Sequence, residues 1–190
     1  MTPILGILAS GISGNLWPGY SPSYDSIATI TPYTTTSTVV FSSIPSTYRH
    51  LQIRFIARTT RANQEDNIQL RFNSDSGGNY AAHVLYGDGA TASSFSDGSS
   101  ITFNTRSVVA AASATSGVFG VGVIDILDYA NTSKNTTVRS LNGYDNNGAG
   151  QVRLSSGLWM NTAAINTITI VPANGPDFAA NSHWALYGIK

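Results

Sequence analysis

Asp125 and Asp128, three residues apart, are the nearest this chain comes to an acid/base pair. Two carboxylates work as acid and base only when both face one bond, and an odd spacing along a strand sends them to opposite faces. The expectation is therefore structural. Asp128 opens a turn after a strand, and Asp125 pairs with backbone donors or with an arginine such as Arg139 or Arg153. Asp75-Ser76-Gly77 has the residue types of an aspartic-protease loop. It stands among Asn73, Ser74, Gly78 and Asn79, a surface-turn composition without the apolar packing or facing copy that such a site needs. His50, His83 and His183 are scattered, with no HExxH spacing, and read as structural histidines. Gly87-Asp88-Gly89-Ala90-Thr91-Ala92 carries the glycine spacing of a dinucleotide turn, yet a serine/glycine run follows instead of a helix. Without a helix N-terminus there is nothing to receive a pyrophosphate. Asp145-Asn146-Asn147-Gly148 has the wrong spacing for a calcium loop and reads as a turn. There is no GxSxG and no P-loop. Asn131-Thr132-Ser133 and Asn135-Thr136-Thr137 are formal glycosylation sequons, meaningful only on a secretory route that no signal peptide supports. No residue is assigned to catalysis, a cofactor or a metal, and the expectation is a chain that is not an enzyme.

The elements that hold these residues are strands. In Phe41 to Arg58, Leu51, Ile53, Phe55 and Ala57 alternate with Gln52, Arg54, Ile56 and Arg58, a period of two that gives a strand one buried face. Pro45 turns the chain ahead of it. Burying Leu51, Ile53 and Phe55 is worth about 1.5–3 kcal/mol each. Ile68 to Phe72 repeats the scheme with Gln69 and Arg71 outward, and is expected to pair with the first strand. Further strands are expected at Ser26–Thr31, Ser37–Phe41, Tyr80–Tyr86, Ile101–Asn104, Val118–Leu127, Val138–Leu141, Val152–Trp159, Ile165–Val171 and Ser182–Ile189. Val108–Ala114 reads as a strand or one helical turn, and Gly87–Ser100 as a long exposed loop. Gly120 and Gly122 share a face that a second backbone or a large ring can approach closely. About ten short strands with regular turn signals and no capped helical stretch mean an all-β fold: an antiparallel β-sandwich, jelly-roll-like.

The chain has 190 residues and fits one domain. It has no cysteine, which excludes disulfide frameworks and thiolate zinc sites. Charged residues are 11%, well below the roughly 25% of ordinary domains, and the formal net charge is zero. Long-range attraction to nucleic acid or anionic membrane is therefore not expected. The near-neutral hydroxyl-rich surface points to assembly. Arg49, Arg54, Arg58, Arg61 and Arg71 are expected near one outer sheet face. Of these, Arg54, Arg58, Arg61 and Arg71 are candidates for a subunit contact that uses Glu65 and Asp66. Tyr144, with Trp17, Tyr20, Tyr24 and Tyr33, is a candidate for sugar stacking or for anchoring an interface. Residues 1–24 read as an N-terminal arm and linker, and 25–190 as the sandwich. In the arm, Ile4, Leu5, Ile7, Leu8, Ile12 and Trp17 would be unfavourable in water and call for a partner surface. Trp17-Pro18-Gly19-Tyr20-Ser21-Pro22 is turn-rich.

Five stretches carry a resemblance that runs through nearly the whole chain. They are PILGILASGISGN (Pro3 to Asn15), FSSIPSTYRHLQIR (Phe41 to Arg54), DILDYANTSKN (Asp125 to Asn135), LSSGLWMNTAAI (Leu154 to Ile165) and the ending ALYGIK (Ala185 to Lys190). Together they resemble small virion proteins of tailed bacteriophages. The resemblance implies an outer structural part: a capsid decoration or cement subunit that binds the major capsid protein or another virion protein on the outer surface. It implies a β-sandwich or jelly-roll body, commonly a homotrimer, with an N-terminal arm fixing it to the virion. The alternative is a head-fibre or tail-fibre component that binds a host glycan receptor. It carries over no catalytic residue.

Overall fold

The computed structural model describes residues 23–190. The arm residues Ile4, Leu5, Ile7, Leu8, Ile12 and Trp17, and Tyr20 with them, lie outside the described residues. Twelve strands run β1 (Tyr24–Ile30), β2 (Val39–Phe41), β3 (His50–Ala57), β4 (Glu65–Phe72), β5 (Tyr80–Gly87), β6 (Ala92–Ile101), β7 (Asn104–Ala110), β8 (Gly120–Leu127), β9 (Thr136–Asp145), β10 (Gly150–Trp159), β11 (Ile168–Pro172) and β12 (His183–Ile189). There is no helix among the described residues. The strands form two antiparallel sheets packed as a sandwich. The large sheet has the order β1-β12-β3-β8-β9-β10-β5-β6 and the small one β2-β11-β4-β7.

The period-two pattern is met where it was clearest. Leu51, Ile53, Phe55 and Ala57 of β3 point into the sandwich, as do Ile68, Leu70 and Phe72 of β4. Their pairing is the correction. β3 lies between β12 and β8, whereas β4 lies in the other sheet between β11 and β7. Alternation fixes which side chains are buried but not what buries them, so two facing strands read like two neighbours. The second correction is β6, which occupies most of the stretch expected to be a loop. Its serines and glycine have poor strand propensity, and its place at the sheet edge against β5 overrides that. Gly87–Thr91, with the dinucleotide-like spacing, is the tight connection between these two strands. Residues 101–104 hold the break between β6 and β7, and β7 resolves the ambiguous Val108–Ala114 as strand up to Ala110.

The core brings β3, β8 and β12 of the large sheet against β2, β4 and β11 of the small one. Trp184 stacks on Phe55 at 5.1 Å between centroids and meets Phe178 edge-on at 5.0 Å. Gly120 and Gly122 allow this close fit, as expected. A Cβ on Gly120 would come within 2.7 Å of the Val109 Cα, and one on Gly122 within 2.5 Å of the Phe55 ring. The β9–β10 hairpin closes through Asn147 and Gly148, both at positive φ, which is the Asn-Gly signature of a type I′ turn.

Beyond β8 the filling of the sandwich becomes mixed, with polar groups beside the buried Tyr80, Val84, Val138 and Trp159. β7 faces β9 and β10 through Asn104, Ser107, Ser140, Asn142 and Ser155, all buried. Asn142 uses both ends of its amide: its Oδ1 accepts from the Val108 N–H at 2.7 Å, and its Nδ2 donates to Ser140 Oγ at 3.1 Å.

Candidate functional site

The outer face of the large sheet is organised in cross-strand rows. One row is polar: Gln52, Asp125, Arg139, Ser156, His83 and Ser96 sit opposite one another from β3 to β6. The next, two residues along, is Arg54, Val123, Leu141, Leu154 and Leu85. The third is Ile56, Val121, Gly143, Val152 and Gly87. Side chains two apart on a strand share a face, so the second and third rows merge into one apolar surface. Its members are well exposed: Val121 54%, Leu141 60%, Leu154 51%, Val152 61% and Leu85 52%. Single exposed aliphatics need no explanation, but a contiguous set across four strands is more apolar surface than scattered exposure accounts for. A groove of about 780 Å³ runs along it, bordered by Val121, Leu141, Val152 and Phe119 and by the turns at Gly87–Gly89 and Tyr144–Gly150.

These residues did not stand out in the sequence. Val118 to Leu127 is apolar on both faces, which marks a strand covered on both sides, and in Val152 to Trp159 the outer positions Val152, Leu154 and Leu158 are more apolar than the inner Arg153, Ser155 and Gly157. The pattern is the same whether the second cover is another layer of the chain or another protein.

The polar row disarms Asp125. Gln52 Nε2 donates to its Oδ1 at 2.8 Å and Arg139 Nε to its Oδ2 at 2.9 Å, so of the partners the sequence offered, Arg139 is the one that pairs. Gln52 in turn accepts from Arg54 Nε at 2.8 Å, and the Arg54 guanidinium lies 5.2 Å from the Tyr24 ring centroid and 4.8 Å from that of Tyr187. Asp128 lies past the end of β8 at φ 49°, in the turn expected of it. A hydrogen bond from Lys134, with the Lys134 and Arg49 charges nearby and His50 beside it, holds its carboxyl below the usual range despite some desolvation.

Asp75 is a turn residue with one structural task. Desolvation pushes its pKa up, but hydrogen bonds from the Trp159 indole (2.8 Å), Asn79 (2.9 Å) and the Gly77 N–H (2.9 Å) outweigh it and leave the pKa lowered. A lowered carboxyl contributes stability above its ordinary value of 3.8 and loses it as pH falls through the lowered value. Asp75→Ala strands the N–H of buried Trp159, and the expected loss is about 1–3 kcal/mol at pH 7. Urea unfolding at pH 7 and at pH 2.5 checks this: the gap between wild type and variant narrows in acid. An equal gap at both would contradict it.

The arginines do not gather on one face. Arg54 belongs to the large sheet. Arg58 donates to the carbonyls of Ala112, Ala114, Thr115 and Val118 at 2.8–3.2 Å and so clamps that loop. Arg61 reaches the Glu65 carbonyl at 3.2 Å and Asp66 at 3.8 Å. Arg71 is on the small sheet and donates to the Thr102 carbonyl at 3.1 Å. Nor is Asp66 offered to a partner. It is fully buried and accepts from the N–H groups of Asn67, Asn174 and Gly175 at 2.8–3.2 Å. Glu65 is held internally too, 3.4 Å from Arg153 and 3.2 Å from the Tyr144 hydroxyl. Burial and the Glu65 carboxylate push the Tyr144 phenol up to about 12, so it is a neutral donor near neutral pH. Tyr144 therefore belongs to an internal network at the rim of the groove, while Tyr33 is 88% exposed. Among the described residues no three His, Asp or Glu side chains converge as a metal-binding set.

No protein-family model matches the chain, and no curated protein matches it either. Among solved structures, a galectin of Caenorhabditis elegans aligns over 85% of this chain and 95% of its own, at 10% identity and a TM-score of 0.32. At that level the likeness says nothing about ligand or role.

Proposed function

We propose that the chain is a non-enzymatic structural protein of a tailed-bacteriophage virion, a decoration or cement subunit that binds the capsid exterior and stabilises the particle. The observation that carries this reading is the apolar outer face of β8, β9, β10 and β5, a surface suited to protein contact and poor in reactive groups. The motif resemblance of the five stretches supports it. So does the engagement of Asp75, Asp125 and Asp128 in structural bonds, which leaves none of them as a positioned acid or base.

The strand order supports the jelly-roll form of the body. With β5–β6 and β9–β10 set aside, the remaining eight strands, renumbered 1–8, read 1-8-3-6 in one sheet and 2-7-4-5 in the other. That is the order of two interlocked Greek keys. The two extra hairpins both widen the same sheet and supply most of the apolar face. On this reading they are what turns a common body into an attachment part. The arm residues Ile4, Leu5, Ile7, Leu8, Ile12 and Trp17 supply a second apolar contact, against the capsid or against a sister subunit that is itself attached. Several modest contacts held together become cumulative, and a stable interface buries at least about 1,000 Å² in total.

The test is particle assembly with residues 1–17 deleted. Occupancy on the purified capsid and resistance of the particle to heat are both expected to fall. Undiminished occupancy and heat resistance would reject attachment through the arm.

A further inference from the structure

The apolar face has no cover among the described residues, and the chain holds one long apolar segment outside them. Residues 1–22 carry no charged side chain, and Ile4, Leu5, Ile7, Leu8, Ile12 and Leu16 fall within them. We propose that this segment of one copy lies along the groove between Val121, Leu141 and Val152 of a second copy, joining copies arm to face. The proposal deepens the reading of the chain as an assembling subunit and rests on it.

The chemistry matches on both sides. An uncharged segment with five aliphatic side chains between Ile4 and Ile12 meets rows of Val, Leu and Ile, while the charged Asp125–Arg139 row lies to one side. Glycines allow close approach from both directions: Gly6 and Gly11 in the segment, Gly143 and Gly87 in the third row of the sheet.

Reach favours a second copy over the same molecule. β1 is an edge strand, and Tyr24 sits opposite Ile189 at the end of the sheet where β3 begins and β8 ends. The groove is at the other end, three to five strands away. Strand spacing of about 4.8 Å and a rise of about 3.4 Å per residue put it about 30 Å from Tyr24. The eleven residue-to-residue steps from Ile12 to Ser23 span about 18 Å as a flexible chain, by the root-mean-square rule for linkers. They also include the turn-forming Trp17 to Pro22, so a contact within one molecule needs them nearly straight. A contact between copies has no such constraint. An arm-to-face contact is heterologous and closes into a ring when the rotation between copies allows it. A homotrimer is the smallest such ring that fits the resemblance.

The absence of cysteine makes the test clean. Leu8→Cys and Leu141→Cys are prepared as separate full-length proteins, mixed and oxidised, with Ile12→Cys and Val152→Cys as a second pair. A disulfide-linked dimer containing one chain of each kind is expected. Light scattering is expected to show an oligomer for the full chain and a monomer once residues 1–17 are removed. A full chain that is monomeric, an oligomer that survives the deletion, or the lack of the mixed dimer with both pairs would overturn the proposal. So would cross-linking confined to single chains when both cysteines are placed in one protein. The assay uses purified protein, so its outcome is separate from occupancy on particles. Arm-to-face oligomers that never join a virion would sink the virion reading alone, and virions carrying unlinked monomers would sink this proposal alone.

Discussion

Replacing Trp184 with alanine is expected to remove about 3–5 kcal/mol of stability, the usual range for emptying a large aromatic site in a core. For a chain of this size that lowers the melting temperature by on the order of 10 °C. The size of the effect follows from position. Trp184 is fully buried on β12, between β1 and β3, and its ring fills the space between Phe55 of β3 and Phe178 of the 173–182 connection. These neighbours belong to separate segments anchored by sheet hydrogen bonds, so they cannot all close over the gap. Trp184→Phe separates volume from polarity. The indole N–H is buried and finds no partner among the described residues. Removing it relieves a desolvated donor while much of the ring contact stays. The phenylalanine variant should therefore lose well under half of what the alanine variant loses. Equal losses for the two would show that the stacking arrangement is wrong.

Arg153 is the second position where a large effect is expected, for an electrostatic reason. It lies on β10 with 6% of its surface exposed, beneath the inserted half of the large sheet. Its guanidinium donates to Gln151, to Asn67 and to Glu65, and lies 5.8 Å from the Tyr86 ring centroid. Burial pulls its pKa down and the Glu65 carboxylate pushes it back up; the balance is a lowered value. These bonds tie β10 of the large sheet to β4 of the small one. Arg153→Ala is expected to destabilise by about 3–5 kcal/mol, because it empties a buried site and leaves a half-buried carboxylate and two half-buried amides without their cation. Arg153→Met with Glu65→Gln should recover most of that, since an apolar filler no longer leaves a charge unmatched. A double-mutant cycle by chemical denaturation measures the coupling. A double variant no better than Arg153→Ala would mean that the arginine acts through packing alone.

How far the sequence carried depends on what a strand pattern encodes. The inward residues of β3 and β4, the turns at Asp128 and Asn147-Gly148 and the close approach at Gly120 and Gly122 were all legible. Each is a local property: a period, a turn residue, a missing Cβ. Strand pairing was not, because Leu51–Ala57 and Ile68–Phe72 alternate alike whether they lie side by side or face to face. β6 was missed because edge pairing, not propensity, holds Ala92–Ile101 in place. The five arginines looked like one patch because they are near in sequence, yet the chain passes between sheets from β3 to β4 and carries Arg54 and Arg71 to different ones. The apolar face was hidden for a related reason: Val121, Leu141, Val152 and Leu154 come from three strands, and only the register places them in adjoining rows.

The account turns on where this protein sits. An electron cryo-microscopy reconstruction of the particle that carries it addresses that directly. The account predicts density for a twelve-stranded two-sheet body on the outside of the capsid shell, with the outer face of β8, β9, β10 and β5 turned toward neighbouring protein. A body found only at a fibre tip, or one on the capsid with that face open to solvent, would contradict it.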